Sequence, residues 1–329
     1  MDKKILLVII VLALGLAACG GGPASEEQKG ELESLRLPMG FIPNVQYAPF
    51  YVAVEKGYFA EAGFELIFDY SFETDGVALV GAGELPFAVV SGEQVLLARA
   101  QAIPVVYITA WFQDYPVAVV TKSDSGIATV ADLAGKRIGL PGLFGATYVG
   151  LRALLASEGI AEEDVFLDSI GFNQVEALAT DQEDAVVGYI NNEPLQLANL
   201  GYEVHVLAVR DAVQLAANGI IGNESYLADN PERATAFVAA FLRGLSDAIA
   251  DPNEAFEISK KYVETLASGD QDLEMQVLLL TIEFWKAEQL GASNADAWTN
   301  MQQVLLDMGS IAEPLDLDKA FTNEFVGVE

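Results

Sequence analysis

One cysteine, one histidine and 17 lysines and arginines against 48 aspartates and glutamates are all that this 329-residue chain carries of the residues that most often do covalent or metal chemistry or bind polyanions. A single cysteine cannot form a disulfide within the chain, so stability must come from a buried core. One histidine without a second cysteine leaves no zinc cluster, and no catalytic residue, metal site or cofactor is expected. The formal net charge of −31 excludes nucleic acid as a partner and disfavours a strongly anionic ligand. The acidic residues are dispersed among helical segments, as on a solvated surface outside the cell. The N-terminal apolar run Ile5–Leu16 is too short to span a bilayer, which takes roughly 20 residues.

That run follows Lys3 and Lys4 and leads into Leu16-Ala17-Ala18-Cys19. It reads as a secretory signal over residues 1–18 ending in a lipobox, with Cys19 as the lipidated first residue of the mature protein. Several acyl chains on one cysteine hold a protein firmly at a membrane where a single chain would not. Removing Asp2, Lys3 and Lys4 takes away a net +1 and leaves −32. Residues 19–34, small, polar and charged, read as a flexible tether.

The remainder, in a chain of 52% hydrophobic composition, suffices for about two domains. Apolar runs at 35–41, 64–70, 86–90 and 103–112 read as strands alternating with helical patterns, which implies a parallel sheet covered on both faces. A second α/β unit begins near residue 124 and runs to "EVHVLAV". Beyond it the pattern is helical, with Asn230-Pro231 and Pro252 marking helix starts. The stretches 114–123 and 207–221 are expected to be extended crossovers, so that residues 35–115 and 214–329 form one lobe and 116–213 the other. Bending is expected near Pro116–Thr121 and Leu207–Val213.

In open parallel sheets ligands sit beyond the carboxyl ends of the strands, and the loops there share a chemistry. Asn44, Gln46 and Tyr47 follow the first strand, Ser91 and Glu93 the third, and Trp111, Phe112 and Tyr115 the fourth. In the second unit "PGLFGATY" offers Phe144, Thr147 and Tyr148, while "YINNE" offers Tyr189, Asn191, Asn192 and Glu193. Uncharged hydrogen bonders and aromatic rings suit a flat polar heterocycle, with rings on its faces and amides at its edge. Trp111 and Phe112 are equally readable as core. "GLFGATY" looks like a phosphate loop but lacks the Walker lysine. His205, in alternating "EVHVLAV", reads as a half-buried strand residue.

"GFIPNVQYAPFYVAVEKGYFAEAGFEL", "VADLAGKRIGLPG" and "DAVVGYINNEPLQL" together resemble the solute-binding proteins of ABC importers in the sulfonate and thiamine-pyrimidine-precursor superfamily. The resemblance implies a two-lobed periplasmic-binding-protein (type II) α/β fold and a monomer delivering its ligand to a permease with its ATPase. Pro43-Asn44 and the pattern Tyr189, Asn191, Glu193 resemble the pyrimidine-precursor branch, except that Tyr47 stands where that branch has histidine. Because a relative of the branch binds riboflavin, the resemblance implies riboflavin as ligand, with formylaminopyrimidine as the alternative. The candidate stacking rings are Tyr47, Trp111 and Tyr148, and Asn44, Asn191 and Glu193 are the candidate hydrogen-bond partners. Eukaryotic members make the pyrimidine by consuming one of their own histidines and have a cysteine-rich motif that is absent here. The implied location is extracytoplasmic and lipid-anchored.

Overall fold

The return of the chain from the second sheet to the first fixes the architecture. In the computed structural model, which describes residues 32–327, ten strands form three sheets. The first pairs β1 (Glu33–Gly40) with β2 (Phe64–Phe72) in parallel. The second has the order β3 (Phe87–Val90), β10 (Gly219–Asn223), β4 (Val105–Ala110), with β10 antiparallel to both neighbours. The third runs β7 (Phe166–Ser169), β6 (Arg137–Leu140), β8 (Ala185–Tyr189), β5 (Val117–Lys122), β9 (Val204–Ala208). Here β6 is parallel to β7 and β8, whereas β5 is antiparallel to β8 and β9.

The expectation of an all-parallel first sheet is corrected by β10. Its sequence Gly-Ile-Ile-Gly-Asn is buried throughout, as a central strand requires. Gly219 is obligatory there, since a Cβ would lie 2.2 Å from the Tyr107 hydroxyl. The crossovers differ from expectation as well. Pro116–Thr121 falls largely within β5, which is paired on both sides, and a strand bonded along both edges cannot act as a hinge. In the second crossover Val209–Ala212 is a helical turn, not extended chain. Glu33 and Ser34, read as tether, begin β1. The leader at 1–18, the lipidation at Cys19 and most of the tether lie outside the described residues.

Helices cover the sheets where the sequence punctuates them. Pro231 and Pro252 sit at the first positions of the helices Pro231–Ala250 and Pro252–Ser259, where a missing N–H costs nothing. The described residues make one compact unit, with a continuous core that includes Phe50, Phe87, Phe237, Phe241 and Trp285. Among the described residues no helix is long and apolar enough to cross a membrane.

The helices Pro231–Ala250 and Ala48–Glu55 meet at Gly244, where a Cβ would lie 2.2 Å from the Pro49 carbonyl oxygen and 2.7 Å from the Ala53 Cβ. Gly244→Ala therefore sets a helix-propensity gain of roughly 1 kcal/mol against overpacking of about 1–3 kcal/mol. The expected outcome is a net loss of stability, read as a lower midpoint in urea unfolding with an unchanged slope.

Candidate ligand-binding cleft

The carboxyl ends of β1, β2, β6, β7 and β8 converge on one cavity with about 990 Å³ of atom-free space, its open mouth included. Two further segments close its floor. Trp111 and Phe112 follow β4, and both of their backbone N–H groups donate to the Asn218 carbonyl just before β10, at 3.0 and 2.9 Å. Because β10 runs antiparallel, its amino end reaches the place where the parallel strands present their carboxyl ends.

Aromatic rings make the walls. Tyr47 stacks on Trp111 at 5.1 Å and 21°, and its hydroxyl donates to the Met39 carbonyl at 2.6 Å. Trp111 meets Phe112 edge-on at 4.7 Å, and Phe112 meets Tyr189 at 6.2 Å. At the mouth, rings from opposite sheets interleave. Phe41 and Phe172 contact edge to face at 4.8 Å, while Phe72 lies 6.3 Å from Phe172 and 6.2 Å from Phe144. Phe72, Phe144 and Phe172 are 52%, 51% and 41% exposed, an apolar rim too concentrated to be incidental surface.

The polar groups form two largely buried chains, with Glu73 and Tyr189 half-buried at the cavity wall. The Tyr189 hydroxyl donates to the Asn218 side-chain oxygen at 2.9 Å, and Asn218 donates to Glu73 at 3.1 Å. Glu73 lines the cavity, and the Ser91 hydroxyl lies 2.5 Å from it and within hydrogen-bond reach of Glu93. One hydroxyl has one proton, so only one carboxyl can accept from Ser91 and the other must donate to it. The Glu73, Ser91, Glu93 set therefore holds a proton at a carboxyl oxygen. Desolvation, reinforced by the neighbouring Glu93, pushes the Glu73 carboxyl up to about 8. In the second chain Glu193, opening the helix Glu193–Asn199, accepts from the Tyr189 backbone N–H at 2.7 Å and from the Asn192 amide at 3.2 Å. Gly188 makes room for this, since a Cβ there would lie 2.4 Å from the Glu193 carboxyl. Burial raises the affinity of Glu193 for its proton too.

Of the fifteen loop residues named from the sequence, ten line the cavity: Asn44, Gln46, Tyr47, Trp111, Phe112, Phe144, Thr147, Tyr189, Asn192 and Glu193. Five do not, among them Tyr115, which is buried with its hydroxyl donating to the Ala146 carbonyl at 2.8 Å. Ser91 and Glu93 lie behind Glu73, fully buried. Asn191 is likewise buried and donates to the Gln46 side-chain oxygen and to the Thr281 hydroxyl, both at 2.7 Å, so it joins the two sides of the cleft instead of facing a ligand. Tyr148 lies one residue along the helix from Thr147, too far round to face the cavity, and its hydroxyl donates to Glu162 at 2.8 Å. His205 sits in β9 opposite Thr121, away from the cavity. The sequence reading omitted Glu73, Phe172 and Gln174, although the loops after β2 and β7 obey the same strand-end rule as the loops it used. Asn218 gave no such signal, because it precedes an antiparallel strand.

Two lobes built around separate sheets, with a ligand-sized cavity at the strand ends between them, define a periplasmic-binding-protein fold. The aliphatic sulphonate-binding protein SsuA of Escherichia coli superimposes with a TM-score of 0.71 at 14% identity over 87% of this chain and 96% of that one. Residues 44–255 match the NMT1/THI5-like family, and the chain belongs to it. It is 40% identical to the riboflavin-binding protein RibY of Chloroflexus aurantiacus, over 99% of this chain and 98% of that protein. It is 27% identical to the formylaminopyrimidine-binding protein of Halalkalibacterium halodurans, over 98% and 99% of the two chains.

Glu73 binds its proton more tightly folded than unfolded, so between about pH 4.5 and pH 8 the folded state carries the extra proton and stability falls as pH rises. Glu93 and Glu193 act in the same direction. Glu73→Gln should therefore flatten, without abolishing, the decline of the melting temperature across that window. An unchanged slope would show that Glu73 does not carry the proton.

Proposed function

We propose that the protein is the extracytoplasmic solute-binding subunit of an ABC importer, that it captures riboflavin in the cleft, and that it delivers riboflavin to the permease. The observation that carries this reading is full-length 40% identity to a riboflavin-binding protein, in a chain whose cavity is walled by aromatic rings. A tricyclic ring offers two large faces to Tyr47, Trp111, Phe112 and Tyr189 and a rim of carbonyls and N–H groups to the amides and to Glu73. The lobes are residues 35–115 with 214–329, and 116–213. They bend at the connecting segments around Asp114–Tyr115 and Val213–Ala217, which lie outside the strands. Cys19 carries the lipid that holds the protein at the membrane, and the protein acts as a monomer. The family likeness to a formylaminopyrimidine-binding protein supports a second reading in which the ligand is that smaller heterocycle.

Titration with riboflavin should quench flavin fluorescence and raise the melting temperature with ligand concentration, by about 2.7 kcal/mol of stabilisation at a hundredfold excess over Kd. Tight binding of formylaminopyrimidine in calorimetry, with no response to riboflavin, would select the second reading. Phe144→Ala and Phe172→Ala remove exposed rim rings, so stability should change by less than about 0.5 kcal/mol. Each should weaken riboflavin binding by roughly fivefold to tenfold through lost stacking. Cys19→Ser should release soluble protein or leave uncleaved precursor in a membrane fractionation. Unchanged membrane association with the leader removed would refute lipidation.

A further inference from the structure

A second recess opens beside the aromatic cavity. Phe41, Asn44, Phe172, Gln174, Asn192 and Glu193 line both, so the two spaces adjoin along this wall. Beyond that shared wall the chemistry changes from rings to amides, with Asn173 and Gln196 as further polar groups. The orientation of these amides is set by their partners. Asn173 directs one N–H to the Ile170 carbonyl at 2.9 Å, Gln174 to the Val187 carbonyl at 3.4 Å, and Gln196 to the Asn192 side-chain oxygen at 2.9 Å. Each therefore keeps its carbonyl oxygen and one N–H for a ligand. Asn44 is the reverse, its oxygen accepting from the Gln46 N–H at 2.9 Å and its NH₂ remaining to donate. Among the described residues no lysine, arginine or histidine lines either space, and Glu176 adds an acidic group to the recess.

We infer that this amide-lined recess is the subsite for a neutral polyhydroxylated tail on the flat ligand, and that it rejects the same tail once phosphorylated. The inference rests on the reading of the aromatic cavity as the seat of a flavin ring. A hydroxyl both donates and accepts, so a chain of hydroxyls can satisfy carbonyl oxygens and N–H groups together. A phosphate at neutral pH cannot donate to the carbonyl oxygens, and it brings negative charge beside Glu176 and Glu193 with no lining cation to neutralise it. The helix Gly145–Ser157 begins at the aromatic cavity and not at the recess, while the helices Gln174–Ala179 and Glu193–Asn199, which do begin at the recess, each carry a glutamate in the first turn, Glu176 and Glu193, where an anion would otherwise sit.

Three flavins test this by calorimetry on the lipid-free mature protein: riboflavin, lumichrome, which has the ring without the tail, and riboflavin 5′-phosphate. Lumichrome should bind about tenfold or more weakly than riboflavin, as loss of two or three tail hydrogen bonds implies. Riboflavin 5′-phosphate should bind about a hundredfold more weakly, the deficit shrinking with added salt. Gln196→Leu and Asn173→Ala should each weaken riboflavin about fivefold and leave lumichrome unchanged, which a merely structural role would not do. Gln196→Lys should recover part of the binding of the phosphate ester. Equal affinity for riboflavin and either of the other flavins, or variants that weaken riboflavin and lumichrome alike, would overturn the subsite while leaving the ring site intact. Failure of all three flavins to bind would overturn the flavin reading and the subsite together.

Discussion

The meeting of the two crossing segments at Asn218 organises the cleft. One carbonyl oxygen takes the N–H groups of both Trp111 and Phe112, and the side chain of the same residue links Tyr189 to Glu73. Strand β10 can follow only because Gly219 lets it pass the Tyr107 hydroxyl. The chain thus leaves and re-enters the first lobe at one point, and that point is the cavity floor. Backbone hydrogen bonds that close the sheet also aim the aromatic wall.

The interior chemistry runs against the exterior. A chain of net charge −31 presents to its cavity rings, amides and carboxyls, with no cation among the described lining residues. Carboxyls in that setting cannot keep full charge cheaply, because desolvation and mutual repulsion both favour the protonated form. Ser91 between Glu73 and Glu93 gives the retained proton a place. A neutral acid is both donor and acceptor, which is the complement of an imide edge as it is of an aminopyrimidine edge. This layer selects for hydrogen-bonding heterocycles in general, and the choice among them falls to the aromatic area and to what lies alongside it.

Much of this was legible in the sequence where local rules act alone. Alternation of apolar runs with helical patterns gave the α/β class, and Pro231 and Pro252 marked their helices. The strand-end rule brought ten cavity residues together because β1, β4, β6 and β8 do end at the cleft. The rest depended on three-dimensional facts without a local signal. The insertion of β10 between β3 and β4 joins residues more than a hundred positions apart, and it makes the amino end of a strand functional. Tyr148 failed for a rotational reason, one helical step of about 100° carrying it from the cleft to Glu162. Asn191 was placed in the right loop, but burial against Gln46 and Thr281 gave it a partner in the protein itself.

That last pair of bonds bears on how such a protein lets go. Asn191 follows β8 on one side of the cleft, while Gln46 and Thr281 of the helix Gln271–Trp285 lie on the other. These contacts are made by the protein with itself, so any opening of the cleft would have to break the same two bonds whatever occupies the cavity. Recognition and release are thereby separated: the cavity walls tell one molecule from another, and the clasp beside them sets a common threshold that any device prising the lobes apart must exceed.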